Sequence, residues 1–526
     1  MTSTTPTAPG RRPRRGWYAA GALLATAAGA GVGHLVAGLV SPEASPVLAV
    51  GSTVIDATPT PVKEWAVSTF GTNDKPILIG SVTVVTLLVA GAIGLVARRR
   101  RTLGLALLGV LALLAVAAAV LRPTAQPVDL LPGLLTAVTG VLGASWLLGA
   151  LDRWGAADAD PASGAGPDRT AAGDGTSGRR TVLVAAAGLG AVAATGGGVG
   201  QALAGRGSSA DVVLPSPATP IEPLPQGLEE MVRGVSSFRT PNTDFYRIDT
   251  ALVVPRVNAS SWELTVDGQV DNPFTLTYDE LLKLPMIEKD VTLTCVSNEV
   301  GGAYVGGARW LGVRVRDLLE RAGVQGGVDQ IFSRSTDGMT ISTPLQAMLD
   351  DRDAMVAVGM NGEPLPATHG FPARLVTPGL YGFVGCTKWL TQLTATTYAK
   401  DVAYWTEREW ATEGPIYTES RIDTPKPLST VKTGRVTIGG VAWAQQRGIA
   451  KVEVRVDGGR WMETKLGPDG GIDYWRQWYL PWDALPGRHT LEVRATDETG
   501  EVQTDKRQTP FPKGATGWHS VVVTVE

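Results

Sequence analysis

The sequence predicts a multi-domain protein with an α-helical membrane anchor of five spans, a mixed α+β domain and an immunoglobulin-like β-sandwich. Three observations carry that prediction. Residues 1–204 hold five apolar stretches, each near the roughly 20 residues that cross a bilayer core. From about Gly227 they give way to short alternating runs and capped helices. From about Leu428, two-residue alternation between turn signals takes over, with tryptophan unusually frequent.

The spans are read at Trp17–Val40, Pro76–Ala97, Leu103–Leu121, Leu130–Leu151 and Thr181–Ala204. None contains an acidic residue, and Asp129 falls just before the fourth. Arg11, Arg12, Arg14 and Arg15 precede the first span, Arg98–Arg101 follow the second, and Arg153, Arg169, Arg179 and Arg180 lie between the fourth and fifth. Only Lys63, Lys75 and Arg122 fall on the other side, so the amino terminus is placed in the cytoplasm and the chain after Ala204 outside. The stretch Ser41–Lys75 reads as a short amphipathic external segment. Glycine pairs such as Gly29 and Gly33, or Gly196 and Gly200, suit close helix packing. The spans hold one histidine, His34, with no methionine and no cysteine. A haem between helices needs axial ligands and an iron–sulfur cluster needs several cysteines, so neither cofactor is expected. Electrons then pass to or from a separate partner.

Ser177-Gly178-Arg179-Arg180-Thr181-Val182-Leu183 opens the fifth span. Arg-Arg-x-apolar-Leu before a weakly hydrophobic Ala/Gly-rich stretch resembles a twin-arginine export signal; an ordinary positive-inside anchor is the other reading. Residues 205–226 carry five prolines and read as a semi-rigid linker.

The mixed domain spans 227–427. Trp262, Leu264 and Val266 alternate with polar residues as on a half-buried strand. Thr277-x-x-Glu280 is a capping box before a short helix that Pro285 ends, and Val315–Ala322 is a helix stopped by Gly323. Val291, Leu293 and Cys295 alternate likewise, so a strand runs into the turn Ser297-Asn298-Glu299 with a thiol at its mouth. Such a thiolate suits a thiophilic metal. A buried apolar cysteine, or half of a Cys295–Cys386 disulfide, are the alternatives on the residue alone.

The run Thr292-Leu293-Thr294-Cys295-Val296-Ser297-Asn298, then Gly301-Gly302 and Ala308-Arg309-Trp310-Leu311-Gly312-Val313, resembles the molybdopterin domain of the sulfite oxidase family. A second matching block starts about 75 residues downstream. It holds His369-Gly370-Phe371-Pro372-Ala373-Arg374, Pro378-Gly379-Leu380-Tyr381-Gly382 and Lys388-Trp389-Leu390. The resemblance implies a molybdenum-molybdopterin cofactor, with Cys295 as metal ligand and His369, Arg374 and Lys388 on the pterin and its phosphate. An anionic phosphate does require charge-assisted donors of this kind. Arg239–Arg247 resembles the family's first cofactor-contacting segment, which implies Asn242, Tyr246 and Arg247. Tyr404 falls where the family places a catalytic tyrosine over the metal's oxygen face. Cys386 is expected to be a small buried apolar residue.

The turn after Cys295 departs from the family pattern, because Glu299-Val300 stands where sulfite oxidases carry arginines. A carboxylate there disfavours an anion such as sulfite. The resemblance therefore points to two-electron oxygen-atom transfer with reduction of S- or N-oxides ahead of sulfite oxidation. From another class, the rival is a surface binding protein with a degenerate oxidoreductase fold. Residues 428–526 resemble the family's dimerisation domain, implying a possible homodimer. Lys451–Val456, Leu491–Ala495 and Val521–Val525 read as strands, with Trp443, Trp461, Trp475, Trp478 and Trp482 as an aromatic core. With 47 basic and 50 acidic residues, no nucleic-acid partner is indicated.

Overall fold

The computed structural model describes residues 15–122, 124–157, 174–204 and 212–526. They fall into two compact units: Met1–Gly207 with Ala251–Pro255, and Ser208–Thr250 with Arg256–Glu526.

In the first unit α1 is Arg15–Val40, α2 Pro46–Ala57, α3 Thr60–Phe70, α4 Asp74–Ala97, α5 Arg101–Val120, α6 Leu130–Ala157 and α7 Asp174–Ala204. Five of them, α1 and α4 to α7, are long and apolar enough to cross a membrane. The expected external segment is not a loop but largely the helices α2 and α3. Helix α1 packs along α6 and α7 through its glycines, where side chains would obstruct contact. A Cβ on Gly29 would lie 2.6 Å from the Thr136 carbonyl oxygen, and one on Gly196 2.6 Å from that of Gly31. At one end Tyr18 of α1 donates to Asp152 of α6, which also pairs with Arg101 of α5 at 3.6 Å. At the other, Arg122 pairs with Asp129 at 2.6 Å and with Glu43 at 3.3 Å. Arg11, Arg12, Arg14 and Arg169 lie outside the described residues, as do the Arg179 side chain and residues 205–211 of the expected linker.

The second unit begins as an extended strap. Ala218 N–H donates to the Met286 carbonyl at 2.8 Å, and Val212 and Leu214 pack against the apolar core. Residues 212–226 are therefore part of this fold and not a free spacer. Ten strands and four short helices follow. In chain order they are β1 Glu263–Gly268, β2 Phe274–Thr277, α8 Tyr278–Leu281, β3 Ile287–Thr294, β4 Val305–Arg314, α9 Val315–Ala322 and β5 Gln330–Ser335. Next come β6 Thr340–Pro344, α10 Leu345–Leu349, β7 Met355–Met360, β8 Glu363–Pro364, β9 Arg374–Val376, α11 Gly382–Gly385 and β10 Leu390–Thr396. The capping box at Thr277 and the left-handed stop at Gly323 (φ +70°) bound α8 and α9 as their residues dictate.

One sheet runs β2-β1-β10-β5-β6, parallel only between β1 and β10. The other runs β3-β4-β7-β8, with β9 on β7. Leu264, Val266, Ile331 and Leu393 of the first sheet share a core with Val313, Val356 and Val358 of the second.

The carboxy-terminal region adds β11 Glu419–Thr424, β12 Thr430–Val431, β13 Gly434–Trp443, β14 Ile449–Val456, β15 Met462–Glu463, β16 Lys465–Leu466, β17 Arg476–Ala484, β18 Gly487–Asp497 and β19 His519–Val525. Sheets β11-β13-β17-β16 and β12-β19-β18-β14-β15 share a core containing Ile438, Val452, Val454, Leu491, Val493, Val521 and Val523. Of the five expected core tryptophans, Trp443, Trp475 and Trp478 are buried. Trp461 instead stands edge-on to Trp518 at 5.0 Å, between the guanidiniums of Arg455 and Arg494. Trp482 stands edge-on to His489 at 5.2 Å.

Candidate active site

Strand β3 presents Cys295, and its last turn is held from both sides. Across β4, the Cys295 N–H donates to the Tyr304 carbonyl at 3.0 Å. On its other edge the segment Asp473–Trp475 docks against Thr292. The Thr292 N–H donates to the Asp473 carbonyl at 2.9 Å, and Thr292 Oγ1 accepts the Trp475 N–H at 2.8 Å. The Asn298 N–H caps the Cys295 carbonyl at 3.0 Å, while Asn298 Oδ1 accepts the Tyr304 N–H at 2.8 Å. This turn fixes where the sulfur points.

Cys295 and Cys386 are both free and both part-buried, so the disulfide alternative is excluded. Cys386 is less enclosed than expected. With Tyr246 it packs against the cluster of Phe245, Trp310 and Phe371, so it belongs to the same site. Burial pushes the Cys295 thiol up, against the Ser297 N–H and hydroxyl and the Lys388 ammonium, which favour the thiolate.

The second block brings the basic groups together. His369 is 3% exposed; its Nε2 lies 3.0 Å from the Asn242 carbonyl oxygen, so that nitrogen carries the proton. Burial, then the Arg374 charge, push the imidazole down to about 4. Arg374 is buried, donates to the His369 carbonyl at 3.1 Å and lies over the Trp310 ring at 5.0 Å. Lys388 pairs with Asp249 at 2.8 Å and donates to the Thr368 carbonyl at 3.2 Å. Burial lowers Lys388 to about 8, against the opposing charge of Asp249. Arg247 holds the same Asp249 at 2.9 Å. Gly370 makes this convergence possible. Its φ is +111°, and a Cβ there would sit 3.0 Å from Arg374 Cβ and 3.1 Å from Lys388 Cα.

Asn242 is tied down by Asn361 Nδ2 at 2.8 Å and donates to Glu363 at 3.2 Å. Tyr246 stacks on Phe245, whose ring meets His369 edge-on at 5.6 Å. The Tyr404 ring sits under the Arg408 guanidinium at 3.5 Å and edge-on to Trp405 at 5.0 Å.

Four buried polar atoms around this constellation have no partner within the described residues: Thr294 Oγ1, Asn298 Nδ2, His369 Nδ1 and Arg374 Nε. Buried polar groups are ordinarily satisfied, so these fit a polar group supplied from outside the chain. Three guanidinium or ammonium charges against one carboxylate suit an anion such as a phosphate, and the thiol suits a soft metal. Sequence reasoning missed Asp249, two residues past the segment it quoted.

Residues 251–405 match the oxidoreductase molybdopterin binding domain. Mitochondrial sulfite oxidase of Homo sapiens is 30% identical over 337 residues, which cover 54% of this chain and 59% of that protein. Nitrate reductase [NADH] 1 of Oryza sativa subsp. japonica is 30% identical over 318 residues, covering 48% and 34%. The chain thus spans less than two thirds of the length of these relatives. Among solved structures, the sulfane dehydrogenase SoxCD from Paracoccus pantotrophus aligns with 24% identity and a TM-score of 0.48, covering 55% of this chain and 83% of that one. Residues 251–405 therefore carry an oxidoreductase molybdopterin binding domain, and through the region around it the chain is similar to sulfite oxidases and nitrate reductases.

Proposed function

We propose that this chain is a membrane-anchored molybdenum-molybdopterin oxidoreductase that moves an oxygen atom with two electrons, in the direction of S- or N-oxide reduction. The observation that carries it is the set of unpartnered buried polar atoms beside a free thiol and three basic side chains. The cofactor, when bound, supplies the two-electron chemistry. The chain's residues hold and orient it. Cys295 gives the thiolate ligand. Arg374 and Lys388 neutralise the phosphate, His369 offers Nδ1 as an acceptor, and Asn242, Tyr246 and Arg247 complete the cradle. Buried Phe245 and Trp310, with Tyr246 packed against their cluster, form an apolar wall beside these groups. Tyr404 is assigned to the substrate face, where its phenol would be a hydrogen-bond or proton donor.

The catalytic unit is assigned to the outside of the cytoplasmic membrane, following the basic residues, with Arg179-Arg180 as export signal and a separate carrier as electron partner. The carboxy-terminal sandwich is read as immunoglobulin-like and as the surface of a homodimer.

Sulfite oxidation is the second reading, because the curated relatives include sulfite oxidases. Oxide reduction is preferred because Glu299 and Val300 occupy the turn after Cys295; Glu299 is solvent-exposed, so its repulsion of an incoming anion is felt at the entrance. Purified full-length protein tests both. We expect about one molybdenum per chain, and oxidation of a reduced viologen by sulfoxides or N-oxides but not reduction of a ferric acceptor by sulfite. Protein without molybdenum would overturn the enzyme reading; turnover of sulfite alone would reverse the substrate.

A further inference from the structure

Between the loop that follows Cys295 and the carboxy-terminal sandwich lies a cavity of about 400 Å³. Three stretches wall it: residues 236–244, residues 301–305, and residues 421–427 in β11 and the bend after it. Trp475 and His519 complete the lining, which includes none of the residues assigned above to the thiol, the pterin or its phosphate. Arg421 pins the walls together. Its Nε donates to Asp423 at 2.7 Å, Nη1 to the Gly302 carbonyl at 2.7 Å and Nη2 to Ser236 Oγ at 2.9 Å. Asp423 also accepts the Ser236 N–H at 2.9 Å. All three guanidinium nitrogens and both carboxylate oxygens are engaged, so this pair brings no net charge to the cavity.

The remaining polar groups share one polarity. Ser236 Oγ accepts from Arg421, Thr240 Oγ1 accepts the Gly307 N–H at 3.2 Å, and His519 Nδ1 accepts the Ile422 N–H at 3.0 Å. In each case the protein uses the acceptor side. Two hydroxyl hydrogens and the His519 Nε2–H are left without a partner among the described residues. Burial pushes His519 down to about 4, so the ring is neutral at pH 7 and keeps that tautomer. Its Nε2 edge borders the turn, where a Cβ on Gly301, at φ +82°, would overlap it. Each side of the mouth adds a charge. Lys426, exposed on the sandwich side, has no ion pair among the described residues. Asp244, exposed on the other side, accepts the Thr243 hydroxyl at 3.1 Å. Pro241, Ile422, Pro427 and Trp475 make the rest of the wall apolar.

We propose that this cavity binds a small organic acid as its monoanion, a carboxylate or sulfonate, with the oxyanion on Ser236, Thr240, His519 and Lys426. Three convergent hydrogens and one ammonium ask for an acceptor that carries charge. Asp244 at the opposite lip disfavours a dianion, and the apolar wall asks for a compact apolar body on the acid. The volume is that of an ordinary small-molecule site. Because the lining is separate from the cofactor cradle, the proposal stands apart from the oxidoreductase reading and from the direction of its reaction.

The test is calorimetric titration of the full-length protein with benzenesulfonate and benzoate. Both should saturate a single site per chain, and benzylamine, with a similar body and the opposite charge, should not. Lys426→Ala should weaken benzenesulfonate roughly 5-fold, and Lys426→Arg should restore it. Ser236→Ala should weaken it by a similar factor, about 5-fold, through the lost hydroxyl. If neither anion binds saturably, the proposal is overturned. Binding undiminished in Lys426→Ala places the anion elsewhere and overturns it too. Equal binding of benzylamine would show an apolar hole without charge selection, and tighter binding of inorganic sulfate a site for a bare dianion; either result rejects the organic acid. If Ser236→Ala does not fold, the two variants of exposed Lys426 decide the matter.

Discussion

The Cys295 thiol is held between opposing influences: burial disfavours its anion, while the Ser297 groups and the Lys388 ammonium favour it. In the proposed assignment metal binding would tip that balance, since a thiolate is the ligating form. Cys295→Ser should therefore give a folded protein with a changed molybdenum spectrum and turnover reduced by at least about 100-fold; wild-type turnover with an unchanged spectrum would refute the ligand assignment. Glu419 gives a prediction of stability against pH. Burial holds its carboxyl near 8 in the folded chain, and it lies in the ordinary range, near 4.5, when unfolded. The folded state thus binds the extra proton between these values, and stability falls as pH rises through that window. Glu419→Gln removes the dependence. Its thermal midpoint relative to wild type should rise between pH 5 and pH 8, and a constant difference would show that Glu419 is ionised throughout. Cys295, His369 and Lys388 were legible in the sequence because each lies in a short block with its own turn chemistry. Glu419 was not, because only burial in the tertiary fold makes its carboxyl unusual.

At the scale of elements, glycine positions decide how closely charges and helices approach. Gly370→Ala places a Cβ against Arg374 and Lys388 at a left-handed backbone, costing about 1–2 kcal/mol. The two cations should splay, and molybdenum content of the purified variant should fall while α-helical circular dichroism is unchanged. Full loading would show that the convergence tolerates a side chain. Arg179→Lys with Arg180→Lys keeps the charge that orients α7 and removes the paired guanidiniums. Accumulation of the catalytic unit outside should fall at least about 10-fold in a fractionation assay; normal export would leave the basic pair as an ordinary anchor flank. The helices α1 and α4 to α7 were readable from length and apolarity alone. Helices α2 and α3 were not, since 12 and 11 residues, one largely apolar and one of mixed polarity, give periodicity little to work on. The strap at 212–226 was misread for a related reason: prolines announce extended backbone but not what it lies against. Trp461 and Trp518 show the same limit, because an aromatic that packs on guanidiniums has the same letter as one in a core.

Across the whole molecule, the two units have different chemistry to offer. The spans carry His34, whose Nδ1 lies 2.9 Å from Ser45 Oγ, and neither methionine nor cysteine within their apolar stretches. Purified alone, the chain should show molybdenum but no stoichiometric Soret band and no tightly bound iron; either signal would mean that the first unit carries electrons itself. Reporter fusions after Arg101 and Arg180 should read cytoplasmic and one after Gln226 external, and any reversal would redraw the orientation. The docking of Asp473–Trp475 on Thr292 has a consequence for how the protein is made. The strand bearing Cys295 is completed on one edge by residues that leave the ribosome about 180 positions later, a delay of roughly 10–40 s at ordinary synthesis rates. During that interval the ligand strand lacks a neighbour, so cofactor capture belongs after translation. A nascent chain stalled before residue 473 should bind no molybdenum, however much of the matching domain it already contains.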